Sequence, residues 1–236
     1  STQGVVPLAP TLDHVGLIAW TVKGLAPVLK AIVGHRDFAE QATEHSVGQN
    51  LLVWEDVEKV LGPAGSIWKM AIGTLADRRF TIRKETTPDA LGTWLESHRK
   101  IMAHEALHWH SVQEPQWKDR YPPKIASLLA FGETLTGKEM AEAYRTRREA
   151  RSFLSKAMRD GELLCLPTIT AGIPDRESTG NYRYQGLASF VGFPSIGMPW
   201  NAEQGFSAGL FGESIQLVGK PCTDLQLLAV AESLFH

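Results

Sequence analysis

The sequence predicts an α/β fold, and two kinds of segment predict it. Short apolar runs bounded by glycine and proline read as strands: Leu163-Leu164-Cys165-Leu166 ahead of Pro167, and Ile215-Gln216-Leu217-Val218 ahead of Gly219. Long stretches with apolar residues three and four apart read as helices: Pro88 to Val112 and Lys138 to Arg159. At 236 residues the chain can bury one sizeable core, and a single domain over 1–236 is the expectation.

The elements follow in order. Pro7 and Pro10 limit helix in the first twenty residues, and Val15 to Trp20 are apolar enough for a buried strand. Val22, Leu25, Ala26, Leu29, Ile32 and Val33 then recur at helical spacing, with Gly34 as the residue past the end. Taking Gly24 as the N-cap puts Pro27 in the first turn, where no N–H is needed. A short helix is expected around Leu51–Leu61, ended by Gly62-Pro63. Ile67 to Leu75 and Phe80 to Ile82 are expected as strands.

In the helix from Pro88, the residues Trp94, Leu95, Ile101, Met102, Trp109 and Val112 form the apolar stripe. Tyr121-Pro122-Pro123 ends that region, and helices follow at 124–131 and from Lys138. In the last of these, Met140, Ala143, Tyr144, Leu154, Ala157 and Met158 form the apolar side. Beyond Gly161 the chain turns to short strands and loops. Thr223-Asp224-Leu225-Gln226 has the spacing of a capping box and opens a final helix.

Composition excludes several classes. A net charge of -2 gives no reason for a nucleic-acid or anionic-membrane partner. The basic cluster Arg145, Arg147, Arg148 and Arg151 is interspersed with Glu142 and Glu149 and reads as a solvated or ion-paired helix face. No apolar run has the length to span a bilayer, and Ser-Thr-Gln-Gly at the start lacks the features of a secretory signal. Cys165 and Cys222 are too few for a disulfide framework, which favours a reducing compartment and a cytoplasmic location.

Three motifs bear chemistry. His104-Glu105-Ala106-Leu107-His108 has the zincin spacing, with Glu133 as a candidate third ligand. Glu105 falls in the apolar stripe while both histidines lie at its edge, so the expectation is that they are not metal ligands. Gly205-Phe206-Ser207-Ala208-Gly209 has the spacing of a nucleophile elbow, which needs a strand before it and a helix after it. A polar loop precedes it and a strand-like run follows, so it reads as a Gly-rich loop. Ser1 has the position of an N-terminal nucleophile, a reading that any cut ahead of a serine would also produce.

Taken in order, several segments resemble the amidase signature family of hydrolases. They are Thr11-Leu12-Asp13-His14-Val15-Gly16, Leu163 to Thr168, Gly192-Phe193-Pro194 through Pro199, and Gln216-Leu217-Val218-Gly219. The resemblance is to the family's C-terminal half. It is strongest over 4–34 and 160–235. The family usually has Asp where this chain has Gly24, Asn where it has Ser189, and Pro-x-Gly where it has Gly212-Glu213-Ser214.

The resemblance implies a mixed β-sheet covered by helices, and hydrolysis of amide (C–N) bonds by a Ser-cisSer-Lys site without a cofactor. No Gly/Ser-rich nucleophile stretch is present in this sequence, so no catalytic residue is assigned and the chain alone is expected to be inactive. The expected partners are a small amide substrate and the N-terminal portion of the same enzyme or a companion chain. A homo-oligomer is left open. The residues implied for the substrate pocket are Thr168 and Ile169 past a strand end, and Tyr182, Arg183 and Tyr184 in an aromatic-polar loop that also reads as an exposed turn. The alternatives are a zinc hydrolase using His104 and His108, and a non-catalytic homologue that binds a ligand in the same pocket.

Overall fold

The computed structural model describes residues 4–33, 50–113, 116, 120–168, 180–181, 183–200 and 214–235. Five strands and eight α-helices occur among them: α1 (Val22–Val33), β1 (Asn50–Trp54), α2 (Val57–Leu61), α3 (Gly65–Asp77), β2 (Thr81–Glu85), α4 (Leu91–Gln113), α5 (Pro123–Glu133), α6 (Gly137–Ala157), β3 (Glu162–Pro167), α7 (Gln185–Val191), β4 (Ser195–Pro199), β5 (Ser214–Val218) and α8 (Asp224–Leu234). The chain divides into two compact units. One takes residues up to Gly16, Asp89–Leu154 and Ser189–Gly192; the other takes Leu17–Pro88, Ser155–Ala188 and the chain from Phe193.

The second unit is built on a mixed five-stranded sheet in the order β2-β1-β3-β5-β4. β1 lies parallel to both β2 and β3, whereas β5 runs antiparallel to β3 and to β4. Leu163, Leu164, Cys165 and Leu166 of β3 are fully buried. A strand covered on both faces reads as such a continuous apolar run, and each leucine contributes about 1.5–3 kcal/mol. The expected strand at Leu163–Leu166 is therefore found.

Across the start of the sheet, Arg83 makes a two-pronged bond to Glu162, with Nε donating to Oε1 at 2.8 Å and Nη2 to Oε2 at 2.5 Å. Arg83 also donates to the Ala157 carbonyl at 2.6 Å. The Glu162 side chain is 3% exposed, so the planar guanidinium supplies bonds that water cannot. Burial works to raise the Glu162 pKa, but the Arg83 bonds and the Arg159 N–H outweigh it and hold the carboxyl below its ordinary value.

The first unit is helical. α4 buries Leu91, Trp94, His98, Ile101 and Glu105, a stripe that alternates steps of three and four. Trp94 and Ile101 lie where expected, while Leu95, Met102 and Trp109 are half-buried and Val112 is exposed. α5 packs on α4 at Gly132, where a Cβ would sit 2.5 Å from the Ala103 carbonyl oxygen. α6 starts with a capping box: the Thr136 N–H donates to Glu139 Oε2 at 2.9 Å, and the Glu139 N–H to Thr136 Oγ1 at 3.2 Å.

Several expectations are corrected. Val15–Trp20 is no strand; Ile18 is 101% exposed and Trp20 81%. Ile67–Leu75 lies in helix α3, whose buried residues Gly65, Trp68, Ala71 and Leu75 have helical spacing. The stretch from Leu51 is strand β1 before it is helix, because Leu51 to Trp54 form one unbroken buried run. Pro27 is interior to α1, and Thr21 caps it instead, its hydroxyl accepting the Gly24 N–H at 3.3 Å. At α8 the expected capping box does not form. Gln226 Nε2 donates to the Gly161 carbonyl at 2.7 Å, and the Thr223 hydroxyl to the Lys220 carbonyl at 2.7 Å. Gly34 and residues 35–49 lie outside the described residues.

Candidate functional site at the carboxyl edge of the sheet

Because β3 and β4 both run against β5, the strands β2, β1, β3 and β4 end at one edge of the sheet. Such carboxyl edges are where open α/β sheets hold ligands. The residues just past each strand can be placed by register. Asp56 follows β1, and Thr87 follows β2. Thr168 follows β3 and donates its N–H to the Ser214 carbonyl at 3.0 Å. Ser214 is itself the register partner of Pro199, and Trp200 comes next. Tyr184 opens α7, with its ring 6.1 Å from that of Trp54 at the end of β1. The Arg183 guanidinium lies 5.8 Å from the Tyr184 ring centre.

The polar atoms here fall into two groups. The Thr87 N–H donates to Asp56 Oδ1 at 3.2 Å, and the Thr87 hydroxyl donates to the same oxygen. Burial works to raise the Asp56 pKa; the Thr87 bonds and the Arg183 charge outweigh it, and the carboxyl sits below its ordinary value. The second group has no partner in hydrogen-bond geometry among the described residues: Thr168 Oγ1, Arg183 Nε, Tyr184 OH and Trp200 Nε1 are all buried and unsatisfied. Tyr184 is 1% exposed and Trp200 2%. Burial raises the Tyr184 pKa, with Arg183 opposing and Asp56 adding to it. Each buried donor without a partner costs about 1–3 kcal/mol, which makes these positions candidates for bonds to a ligand.

Of the five residues expected to line a pocket, Thr168 lies just past the end of β3, and Arg183 and Tyr184 lie together just ahead of α7. Ile169 and Tyr182 lie outside the described residues, as do Ser1, Gly205–Gly209, Gly212 and Glu213. Asp56, Thr87 and Trp200 were not anticipated. Asp56 had a legible signal, since it closes the apolar run Leu51–Trp54 just as Thr168 closes Leu163–Pro167.

The zincin-like motif lies in the helical unit, and its glutamate is engaged. Glu105 accepts the Thr11 N–H at 2.9 Å, the Thr11 hydroxyl at 2.5 Å and the Tyr144 hydroxyl at 2.7 Å. His104 is half-buried and His108 exposed. Among the described residues no group of three His, Cys, Asp or Glu is placed to hold a metal ion. The arginines expected on a solvated face divide. Arg145 pairs with Glu142 and Glu149. Arg147 donates to Thr11 Oγ1, Thr11 O and the Phe190 carbonyl at 2.6–2.7 Å, and Arg151 to the Val191 carbonyl at 2.7 Å. They satisfy carbonyls that the end of α7 leaves open. Ser189, at the divergent position, donates to the Leu12 carbonyl at 2.9 Å.

No family model matches the sequence, and no curated protein matches it. Solved structures do. A crystal structure of an amidase matches 99% of this chain with a TM-score of 0.80 at 20% identity. A 6-aminohexanoate cyclic dimer hydrolase in complex with substrate matches 99% with a TM-score of 0.71 at 17% identity. An allophanate hydrolase from Kluyveromyces lactis matches 80% with a TM-score of 0.54 at 12% identity. The chain spans only 55%, 57% and 32% of those chains, respectively. The fold is the mixed α/β fold of these amidase-type structures. Among the described residues no helix is long and apolar enough to cross a membrane.

Proposed function

We propose that this chain is the C-terminal portion of a hydrolase of amide C–N bonds. The observation that carries the reading is the match of 99% of the chain, at a TM-score of 0.80, to an amidase of which it spans 55%. In this reading the serine nucleophile, the bridging serine and the lysine come from the part of the fold that this chain does not span. The division is chemically sensible. A serine hydroxyl is a poor nucleophile at neutral pH and needs a base, which the lysine supplies through the second serine. Backbone N–H groups beside the nucleophile would hold the oxyanion.

This chain would supply the substrate wall from Thr168, Ile169, Tyr182, Arg183 and Tyr184, with Asp56 and Trp200 as further candidates. The complementary portion would cover the apolar side chains that the stretch before and through α1 exposes, namely Ile18, Trp20, Val28 and Ile32. The protein would act in the cytoplasm on a small amide.

The test is an amidase assay of residues 1–236 alone and with a polypeptide carrying the complementary portion. The chain alone is expected to be inactive, and turnover to appear only in the mixture. Turnover by the isolated chain, lost on Ser207→Ala or Ser1→Ala, would overturn the division of labour. Ligand binding without turnover in the mixture would favour the non-catalytic homologue.

A further inference from the structure

One short segment of the helical unit is held in place mainly by a single residue. Residues 8–13 close on themselves first. The Leu12 and Asp13 N–H groups donate to the Ala9 carbonyl at 2.8 Å, and the Asp13 carboxylate accepts the Leu8 N–H at 2.9 Å and the Ala9 N–H at 3.1 Å. The apolar anchorage is small: in this segment Ala9 and Leu12 are buried, while Pro10 and Thr11 are exposed, as are Val5, Val6, His14 and Val15 on either side. Charge-assisted hydrogen bonds at Thr11 supply the main hold. The single hydroxyl proton of Thr11 goes to Glu105 Oε1 at 2.5 Å, and the same oxygen accepts from Arg147 Nη1 at 2.7 Å. The Thr11 N–H goes to Glu105 Oε2 at 2.9 Å, and its carbonyl accepts from Arg147 Nη2 at 2.6 Å. Serine could make all of these bonds, whereas valine, with the shape of threonine, loses both that involve the hydroxyl.

We propose that Thr11 is a latch: its hydroxyl, held between Glu105 of α4 and Arg147 of α6, keeps residues 8–13 closed as a strap on these helices, and the strap opens as a local event while the helices stay folded. The inference goes beyond the amide-hydrolase reading and does not depend on it. The latch has a second connection. Arg147 Nε donates to the Phe190 carbonyl at 2.6 Å, and the Ser189 hydroxyl donates to the Leu12 carbonyl at 2.9 Å. The strap and the last turn of α7 therefore share one arginine. Losing the Thr11 hydroxyl frees the strap alone, whereas losing the Arg147 guanidinium frees both.

Amide hydrogen exchange of the 236-residue chain, read residue by residue and corrected for intrinsic rates, tests this. In the wild type the Leu12 and Asp13 amides are expected to be protected and those of Val5 and Val6 to exchange freely. Thr11→Val should speed exchange at Leu12 and Asp13 at least tenfold and leave the amides of Ile101 in α4 and Ala150 in α6, both fully buried residues, unchanged. Thr11→Ser should return Leu12 and Asp13 to within threefold of the wild type. Arg147→Met should speed exchange at Leu12 and Asp13 and also at Gly192 and Phe193, whose N–H groups bond to α7. Unchanged protection in Thr11→Val overturns the proposal, since Ala9 and Leu12 would then suffice to hold the strap. So does equal acceleration at Ile101 and Ala150, which would make the strap part of one cooperative unit. A Thr11→Ser chain that exchanges as fast as Thr11→Val, or a wild-type strap without protection, overturns it as well.

Discussion

In the helical unit the Glu105 carboxylate meets the Thr11 N–H, the Thr11 hydroxyl and the Tyr144 hydroxyl, and Arg147 closes the circuit on Thr11. At the carboxyl edge of the sheet unit, the Tyr184 hydroxyl and the Trp200 indole N–H are as deeply buried and meet no partner in hydrogen-bond geometry among the described residues. Both are buried polar groups reached from a tyrosine. One set is internally complete and so stabilises; the other is open and so is a cost to the fold. The same residue type thus has opposite roles, decided by whether its bonds close within the fold.

The comparison breaks most readily at Glu105. Glu105→Ala should lose about 3 kcal/mol, because it leaves Arg147, Tyr144 and Thr11 without the carboxylate they surround. Tyr184→Phe, which removes one hydroxyl, should stay within about 0.5 kcal/mol in the unliganded chain. Denaturant midpoints for the two variants give the answer; equal losses would mean that the Tyr184 hydroxyl also has a structural bond. Gly132→Ala comes next, at about 1–3 kcal/mol, because the added Cβ meets a backbone carbonyl that cannot swing away. A wild-type midpoint in that variant would show that α5 can shift on α4.

Acid should separate the units by pH. Burial, with the Arg147 charge, holds the His98 pKa below its ordinary 6.5. The unfolded chain therefore takes up that proton first, and the helical unit loses stability as pH falls below 6.5 toward the folded value. Glu162 is also depressed, from an ordinary 4.5, so its contribution is complete above 4.5 and is lost as pH falls through its folded value. Urea titrations between pH 7.5 and 3 should show the first decline vanish in His98→Gln and the second in Glu162→Gln. Thr223→Ala is also expected to have a small effect. Among the described residues its hydroxyl bonds only the Lys220 carbonyl, so about 0.5–1.5 kcal/mol is at stake, read as a shift in melting temperature.

Some of this was legible in the sequence and some was not. β3 was readable because Leu163 to Leu166 is a short apolar run stopped by Pro167, and α4 and α6 because their stripes persist over many turns. β1 was not: four apolar residues in a row fit a buried strand and a turn of buried helix equally. Missing β1 also hid Asp56, since the strand-end rule that picked out Thr168 applies only once the strand is known. Val15 to Trp20 misled because apolar content alone does not say what covers a segment. The Thr223 and Thr136 boxes share one pattern, and only the neighbouring Gly161 carbonyl, absent from any local window, decides that Gln226 looks elsewhere.

The register that sets Asn50 against Glu162 has a consequence for biosynthesis. β1 and β2 leave the ribosome in close succession and can form their parallel pair as soon as α2 and α3 connect them. Their other neighbour arrives only after all of α4, α5 and α6 has been translated. Until then the edge of β1 and the side chains of Leu51 to Trp54 are open to any passing strand, and pairing this far apart in sequence is slow to close. The chain should therefore depend on a holding chaperone during synthesis, and on refolding in vitro its yield should fall with protein concentration.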